Sequence, residues 1–171
     1  MLKRFLPDQH VKSIFEITPE HLKDKGIKGV ITDLDNTLVA WNEAHATPMV
    51  LNWFKRMEES NIDVIIISNN NKNRVEIFSE PLKRPFVYKA KKPLKKAFIK
   101  AAKQMNLNRS EVAVIGDQLM TDIFGGNRAG LHTILVVPIV STDDKATKFN
   151  RQIERRILNR FKRKGWISWE D

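Results

Sequence analysis

Asp33-Leu34-Asp35-Asn36-Thr37 directly follows the apolar run Gly29-Val30-Ile31-Thr32. Two carboxylates two residues apart on an extended segment point the same way. Side by side they repel, and each makes the other harder to ionise. A hard divalent cation removes that conflict, and magnesium takes oxygen ligands from one or two carboxylates together with water and phosphate. An aspartate pair after a strand also serves as a simple turn cap, so the pair alone leaves both readings open.

Three further sets of residues have the same double character. Ser68 follows Ile65-Ile66-Ile67 and precedes Asn69-Asn70-Asn71. A hydroxyl and free amides at a strand end suit a phosphate oxygen, and they equally suit an ordinary loop. Lys92 precedes Pro93 at the opening of a helical pattern, where an ammonium can meet phosphate as a point charge. Lys89 and Lys91 are its rivals, and Lys95 and Lys96 fit a solvated basic face. Gly116-Asp117 follows another apolar run, with Asp122 five residues on. Asp117 suits a metal ligand, and Asp122 suits a carboxylate that orients a ligand or a water. The dipole at a helix N-terminus also favours acids and accounts for Asp117 taken alone.

The elements that must position these residues alternate between strand and helix patterns, which predicts a parallel α/β sheet. Strands are expected at 29–32, 62–67, 86–88, 112–115 and 133–137, with Ser13-Ile14-Phe15 as an edge strand. Helices are expected after Thr18-Pro19, over 49–59 after the Thr47-Pro48 cap, over 72–79, 93–104 and 119–128, with Gly130 as the last stop. Nearly continuous apolar strands imply burial on both faces. Active sites of such sheets lie beyond the carboxyl ends of the strands, which is where Asp33, Ser68 and Asp117 fall.

In this order the four sets resemble the motifs of the HAD (haloacid dehalogenase-like) hydrolase superfamily, over roughly 29–137. The resemblance implies a Rossmann-like HAD fold with about five parallel strands and helices on both faces. It implies a phosphatase in which Asp33 is the nucleophile and Asp35 the general acid and base. Ser68 and Lys92 would hold the phosphoryl oxygens, with Thr37 and Asn69 beside the substrate. Magnesium would be held by Asp33, Asp117 and the backbone carbonyl of Asp35, with Asp122 behind them. Only 34 residues separate Asp33 from Ser68, and 23 separate Ser68 from Lys92. Neither interval has room for a cap domain, so an open site and a bulky or surface-bound substrate are expected. Leu6-Pro7-Asp8, Ser13-Ile14, the stretch from Gly26 to Val39 and Ala40-Trp41 look like the YqeG-type branch of subfamily IIIA. That branch is similar to mitochondrial phosphatidylglycerophosphate phosphatases, which implies a lipid head-group phosphate as substrate. A phosphatase of soluble nucleotide or sugar phosphates is the alternative enzyme. A basic binding protein on the same scaffold is the non-enzymatic one.

The 171 residues suit a single domain. The absence of cysteine excludes disulfides and thiolate metal sites. No segment approaches the ~20 apolar residues of a spanning helix, and no apolar stretch follows the basic start, so the chain reads as cytoplasmic. His10, His21, His45 and His132 show no ligand spacing. Of the net charge of +10, residues 145–164 carry nine basic groups against one acid. There Phe149, Ile153, Ile157 and Phe161 recur every four residues with Leu158 beside them, and Trp166 and Trp169 follow. This basic amphipathic tail, 145–171, has three readings: docking on the sheet, lying on an anionic membrane surface through 145–166, or, less favoured, binding nucleic acid. Oligomerisation stays open.

Overall fold

The computed structural model describes residues 2–141 and 145–168, so Trp169 lies outside the described residues. Six parallel strands form one sheet: β1 (Gln9–Val11), β2 (Gly29–Thr32), β3 (Asp63–Ile67), β4 (Phe86–Val87), β5 (Val112–Gly116) and β6 (His132–Val136). Their order is β1-β6-β5-β2-β3-β4. From β2 the chain winds outward through β3 to β4, then crosses back to β5 and winds the other way. The connections of β2 and β5 therefore diverge and leave a crevice between them. Thr32 pairs with Ile115 across that seam, which sets the residues that follow each strand side by side.

Alternation within the strands divides the core between the faces. Val30, Val64 and Ile66 pack with Leu22 of α1 (Pro19–Asp24), Trp53 of α2 (Pro48–Glu59) and Phe78 of α3 (Lys72–Ser79). Ile31, Ile65 and Ile67 pack with Phe98 and Ala101 of α4 (Lys95–Gln104) and Ala129 of α5 (Phe124–Ala129). A final helix, α6 (Lys145–Arg163), lays Ile157 and Leu158 against Leu119, Ile123 and Leu135. Among the described residues no helix is long and apolar enough to cross a membrane.

Several expected elements are corrected. The five expected core strands form as the sequence predicts, and the edge strand of the sheet is Gln9–Val11, paired with β6. Ser13-Ile14-Phe15 is not that edge strand: Ile14–Glu16 is a 3-10 turn whose Ile14 drops into the core. Polar Gln9 and His10 are tolerated in β1 because an edge strand is only half covered. The Gln9 side chain also lies within hydrogen-bond distance of His21 and His132. Helix α4 opens at Lys95, because Lys91 to Leu94 forms a turn closed by Leu94 N–H donating to the Lys91 carbonyl. The 119–128 helix begins as a wide π-type turn, Leu119–Ile123, and becomes regular only at Phe124. Such insertions recur at functional sites, since they re-aim the side chains around them. Gly130, at φ 76°, ends α5 as expected, in the left-handed conformation that glycine adopts freely.

Candidate active site

The carboxyl ends of β2 and β5 bring the acidic residues together. Asp33 continues β2 and donates its backbone N–H to the Ile115 carbonyl at 2.9 Å. The chain then reverses through Asn36, at φ 61°, a left-handed conformation that asparagine takes more readily than most residues. Asn36 N–H donates to the Val39 carbonyl at 2.7 Å, which closes the loop. The reversal places the Thr37 hydroxyl between two carboxylates, 3.1 Å from Asp117 Oδ1 and 3.4 Å from Asp33 Oδ2.

Asp33, Asp117 and Asp122 each bring a carboxylate oxygen within 4.8 Å of the others, and all three are buried. Gly116 permits this, since a Cβ there would collide with the Asp122 carboxyl. Lys92 enters from beyond β4. Its ammonium donates to Asp33 Oδ1 at 2.6 Å and to Asp122 Oδ1 at 2.7 Å. Burial alone would pull this lysine down, but the Asp122 and Asp33 carboxylates outweigh it and hold the group above its ordinary range. Of the three rival lysines, Lys92 is thus the one in the cluster, while Lys89 and Lys91 are exposed. Asn69 fixes the approach of Lys92. Its Oδ1 accepts from Lys92 N–H at 2.7 Å and its Nδ2 donates to the Lys92 carbonyl at 3.1 Å. Ser68 is buried at the end of β3, and its Oγ accepts from the Asn70 N–H at 3.0 Å.

The Asp35 side chain stands apart from the three-carboxylate group. Arg74 of α3 donates to its Oδ1 from Nε at 3.1 Å and Nη2 at 2.9 Å, and Asn70 Nδ2 donates to Oδ2 at 3.1 Å. A groove of about 240 Å³ opens beside this pair, bordered by Trp41, Asn71, Arg74 and Ile77. It is smaller than the ~300–1,000 Å³ typical of sites for drug-sized ligands.

Two residues of this site were not singled out from the sequence. Arg74 has no distinctive spacing. Arg151 is one of the nine basic groups of residues 145–164, yet α6 aims it into the site. Its Nη1 donates to the Asp117 carbonyl at 2.7 Å, and its Nη2 pairs with Asp117 Oδ2. Glu154 holds the guanidinium at 3.2 Å while accepting from Met120 N–H at 3.0 Å. A signal for this was present. Glu154 is the one acid among residues 145–164, and it sits beside the apolar stripe, three residues after Arg151.

The donor set fits a divalent cation. Three buried carboxylates face one ammonium and a guanidinium already shared with Glu154, and their oxygens are the ligands a hard ion prefers. Burial and then the Asp33 charge push the Asp117 carboxyl well above the usual range, against the pull of Arg151. Burial raises Asp122 to about 6, against the pull of Lys92. A carboxyl raised in the fold adds stability below its unfolded value, and that stability is lost as pH climbs through the folded value. In the metal-free protein the Asp122 share of it is therefore lost as pH climbs from the ordinary aspartate value through about 6, and a bound divalent ion offsets that loss. The gain in Tm on replacing chelator with magnesium is expected to be larger at pH 7.5 than at pH 5. Scanning fluorimetry at both pH values checks this, and equal gains would contradict it.

A family model described as HAD-hydrolase-like matches residues 89–162. The chain is 59% identical to the "Probable phosphatase YqeG" of Bacillus subtilis, with all of both chains covered. It is 30% identical to the phosphatidylglycerophosphate phosphatase 1 of Arabidopsis thaliana, over 94% of this chain and 49% of that one. The fold is similar to the cobalt-bound deoxy-D-mannose-octulosonate 8-phosphate phosphatase of Haemophilus influenzae, with TM-score 0.56, 19% identity, and 80% of this chain and 90% of that one covered. The full-length match to YqeG, with the HAD-hydrolase-like family match, places this chain among the YqeG-type phosphatases of the HAD hydrolase superfamily.

Proposed function

We propose that the protein hydrolyses phosphatidylglycerophosphate at a membrane surface, with magnesium, through a phosphoryl group carried on Asp33. The observation behind the mechanism is the Asp33–Lys92–Asp122 chain beside Asp117, all of it buried. Asp33, Asp117 and the Asp35 carbonyl would hold the magnesium ion, with Asp122 supporting them through Lys92. When bound, the ion offsets the repulsion between carboxylate and phosphate.

Asp33 attacks phosphorus with one carboxylate oxygen, and the bond from phosphorus to the leaving oxygen breaks. Asp35 gives that oxygen a proton. Asp35 then takes a proton from a water, whose oxygen attacks the same phosphorus. The acyl phosphate bond breaks, which frees inorganic phosphate and restores Asp33. Lys92 fixes the Asp33 carboxylate through Oδ1 and adds positive charge where the transition state spreads negative charge. Ser68 accepts from the Asn70 amide, so its own proton is left to donate to a phosphoryl oxygen. Thr37 orients two of the carboxylates. Asn69 serves the substrate indirectly, by holding the Lys92 backbone. Arg74 and Asn70 keep Asp35 at the mouth, next to a groove with room for a small head group.

The substrate rests on the similarity to the plant phosphatidylglycerophosphate phosphatase and on the open mouth. The test is phosphate release from phosphatidylglycerophosphate in vesicles and from nucleotide and sugar monophosphates, each with magnesium and with chelator. The lipid is expected to be preferred by about 100-fold in kcat/KM, ~2.7 kcal/mol of discrimination. Equal or better turnover of the free monophosphates would sink the lipid reading and leave the phosphatase.

A further inference from the structure

Of the nine exposed large hydrophobic residues among those described, Met49, Leu51 and Ile77 lie on α2 and α3, and the other six gather elsewhere. Trp41 lies in the loop after β2, Tyr88 after β4, Leu94 just past Lys92, and Val137 and Ile139 after β6. Phe149, 65% exposed, stands on α6 two residues before Arg151. All of these follow the carboxyl ends of strands or adjoin residues that reach into the site. Ile139 N–H donates to the Asn36 carbonyl at 3.1 Å, which ties the β6 loop to the catalytic loop. The apolar side chains therefore ring the mouth of the active site.

Exposed lysines are interleaved with them: Lys89, Lys91, Lys95, Lys96 and Lys148. We propose that this rim is a docking surface for an anionic lipid bilayer, which seats the mouth of the site directly on the head groups. The proposal rests on the lipid reading of the substrate. Tryptophan and tyrosine favour the membrane interface, aliphatic side chains add buried area below it, and each lysine gains ~1 kcal/mol near an anionic surface. Charge argues against a second copy of the chain as the occupant, because two such faces would bring their lysines together.

The same geometry relocates the membrane contact expected of residues 145–166. Beyond Phe149 the apolar stripe of α6 turns to the core: Phe161 is fully buried, and Ile157 and Leu158 cover Leu119 and Ile123. The far end of α6 is held by Trp166, which packs under Lys3 of the 3-10 turn Leu2–Phe5. The rim takes only Lys148 and Phe149, from the first turns of α6.

The test uses the full chain with vesicles of equimolar phosphatidylglycerol and phosphatidylcholine. Variants are Leu94→Glu/Ile139→Glu, Lys95→Glu/Lys96→Glu, and Arg155→Glu/Arg156→Glu on the outer face of α6. Both rim variants are expected to lose at least about tenfold in vesicle partitioning and to keep wild-type turnover of p-nitrophenyl phosphate, which shows that they are folded. Arg155→Glu/Arg156→Glu is expected to lose less than either. Greater loss from the α6 variant would overturn the rim in favour of the helix. Dimerisation of the wild type that the rim variants abolish would assign the face to a second copy, and overturn the proposal as well. If the wild type ignores vesicles but hydrolyses the lipid in detergent, the rim fails and the substrate reading stands. If it binds vesicles through the rim yet turns over only free monophosphates, the substrate reading alone fails.

Discussion

Asp33→Asn is expected to abolish phosphatase turnover, by roughly 10⁴-fold or more in kcat, and to leave the fold standing. The amide has the shape of the carboxylate but cannot take the phosphoryl group. Structurally the exchange is mild. Lys92 keeps Asp122 as its ionic partner, and the buried group loses one of three like charges held within 4.8 Å. The metal-free variant is thus expected to match or exceed the Tm of the wild type, while its gain from magnesium shrinks. Steady-state kinetics and thermal unfolding with and without chelator read both effects. Wild-type turnover by a purified Asp33→Asn protein would remove the nucleophile from this residue.

Lys92→Met is expected to damage activity and stability together. Among the described residues the ammonium is the one link between Asp33 and Asp122, and its side chain is 3% exposed. Removing one partner of a buried ion pair costs about 3–5 kcal/mol, because the carboxylates left behind stay desolvated without their counter-charge. Loss of a positive charge aimed at the developing phosphoryl charge costs a further ~10²–10³-fold in kcat. Magnesium is expected to recover part of the stability and little of the turnover. Denaturant unfolding with and without magnesium, beside kinetics of Lys89→Met and Lys91→Met, separates the three lysines. Near-normal activity of Lys92→Met with loss in either neighbour would reassign the role.

Arg151 changes the meaning of the tail. A basic helix with an apolar stripe has several uses in isolation, and here the stripe docks. Docking makes α6 a wall of the site, joined to Asp117 by a guanidinium and to the π-type turn by Glu154. Removing residues 145–171 would uncover Leu119, Ile123 and Leu135 and strip Asp117 of the Arg151 guanidinium, leaving it the Thr37 hydroxyl. Charge reversal on the outer face is therefore the cleaner probe of lipid binding.

Strand positions, the catalytic edge of the sheet and the acidic cluster were legible in the linear chain, because they depend on local pattern. β-branched runs make strands, nearly continuous apolar runs mark burial on both faces, and polar residues at strand ends mark the site. Gly116-Asp117 with Asp122 belongs with these, since its spacing is local. The turn at Ile14, the strand at Gln9–Val11 and the partners of Asp35 and Asp117 were not legible. Each depends on which distant surface covers the residue. Gln9 pairs with a strand more than a hundred residues away, Arg74 reaches Asp35 from α3, the second helix on, and Arg151 reaches Asp117 only because α6 packs on Leu119 and Ile123. A guanidinium on an amphipathic helix has no fixed partner until packing chooses the face that turns inward.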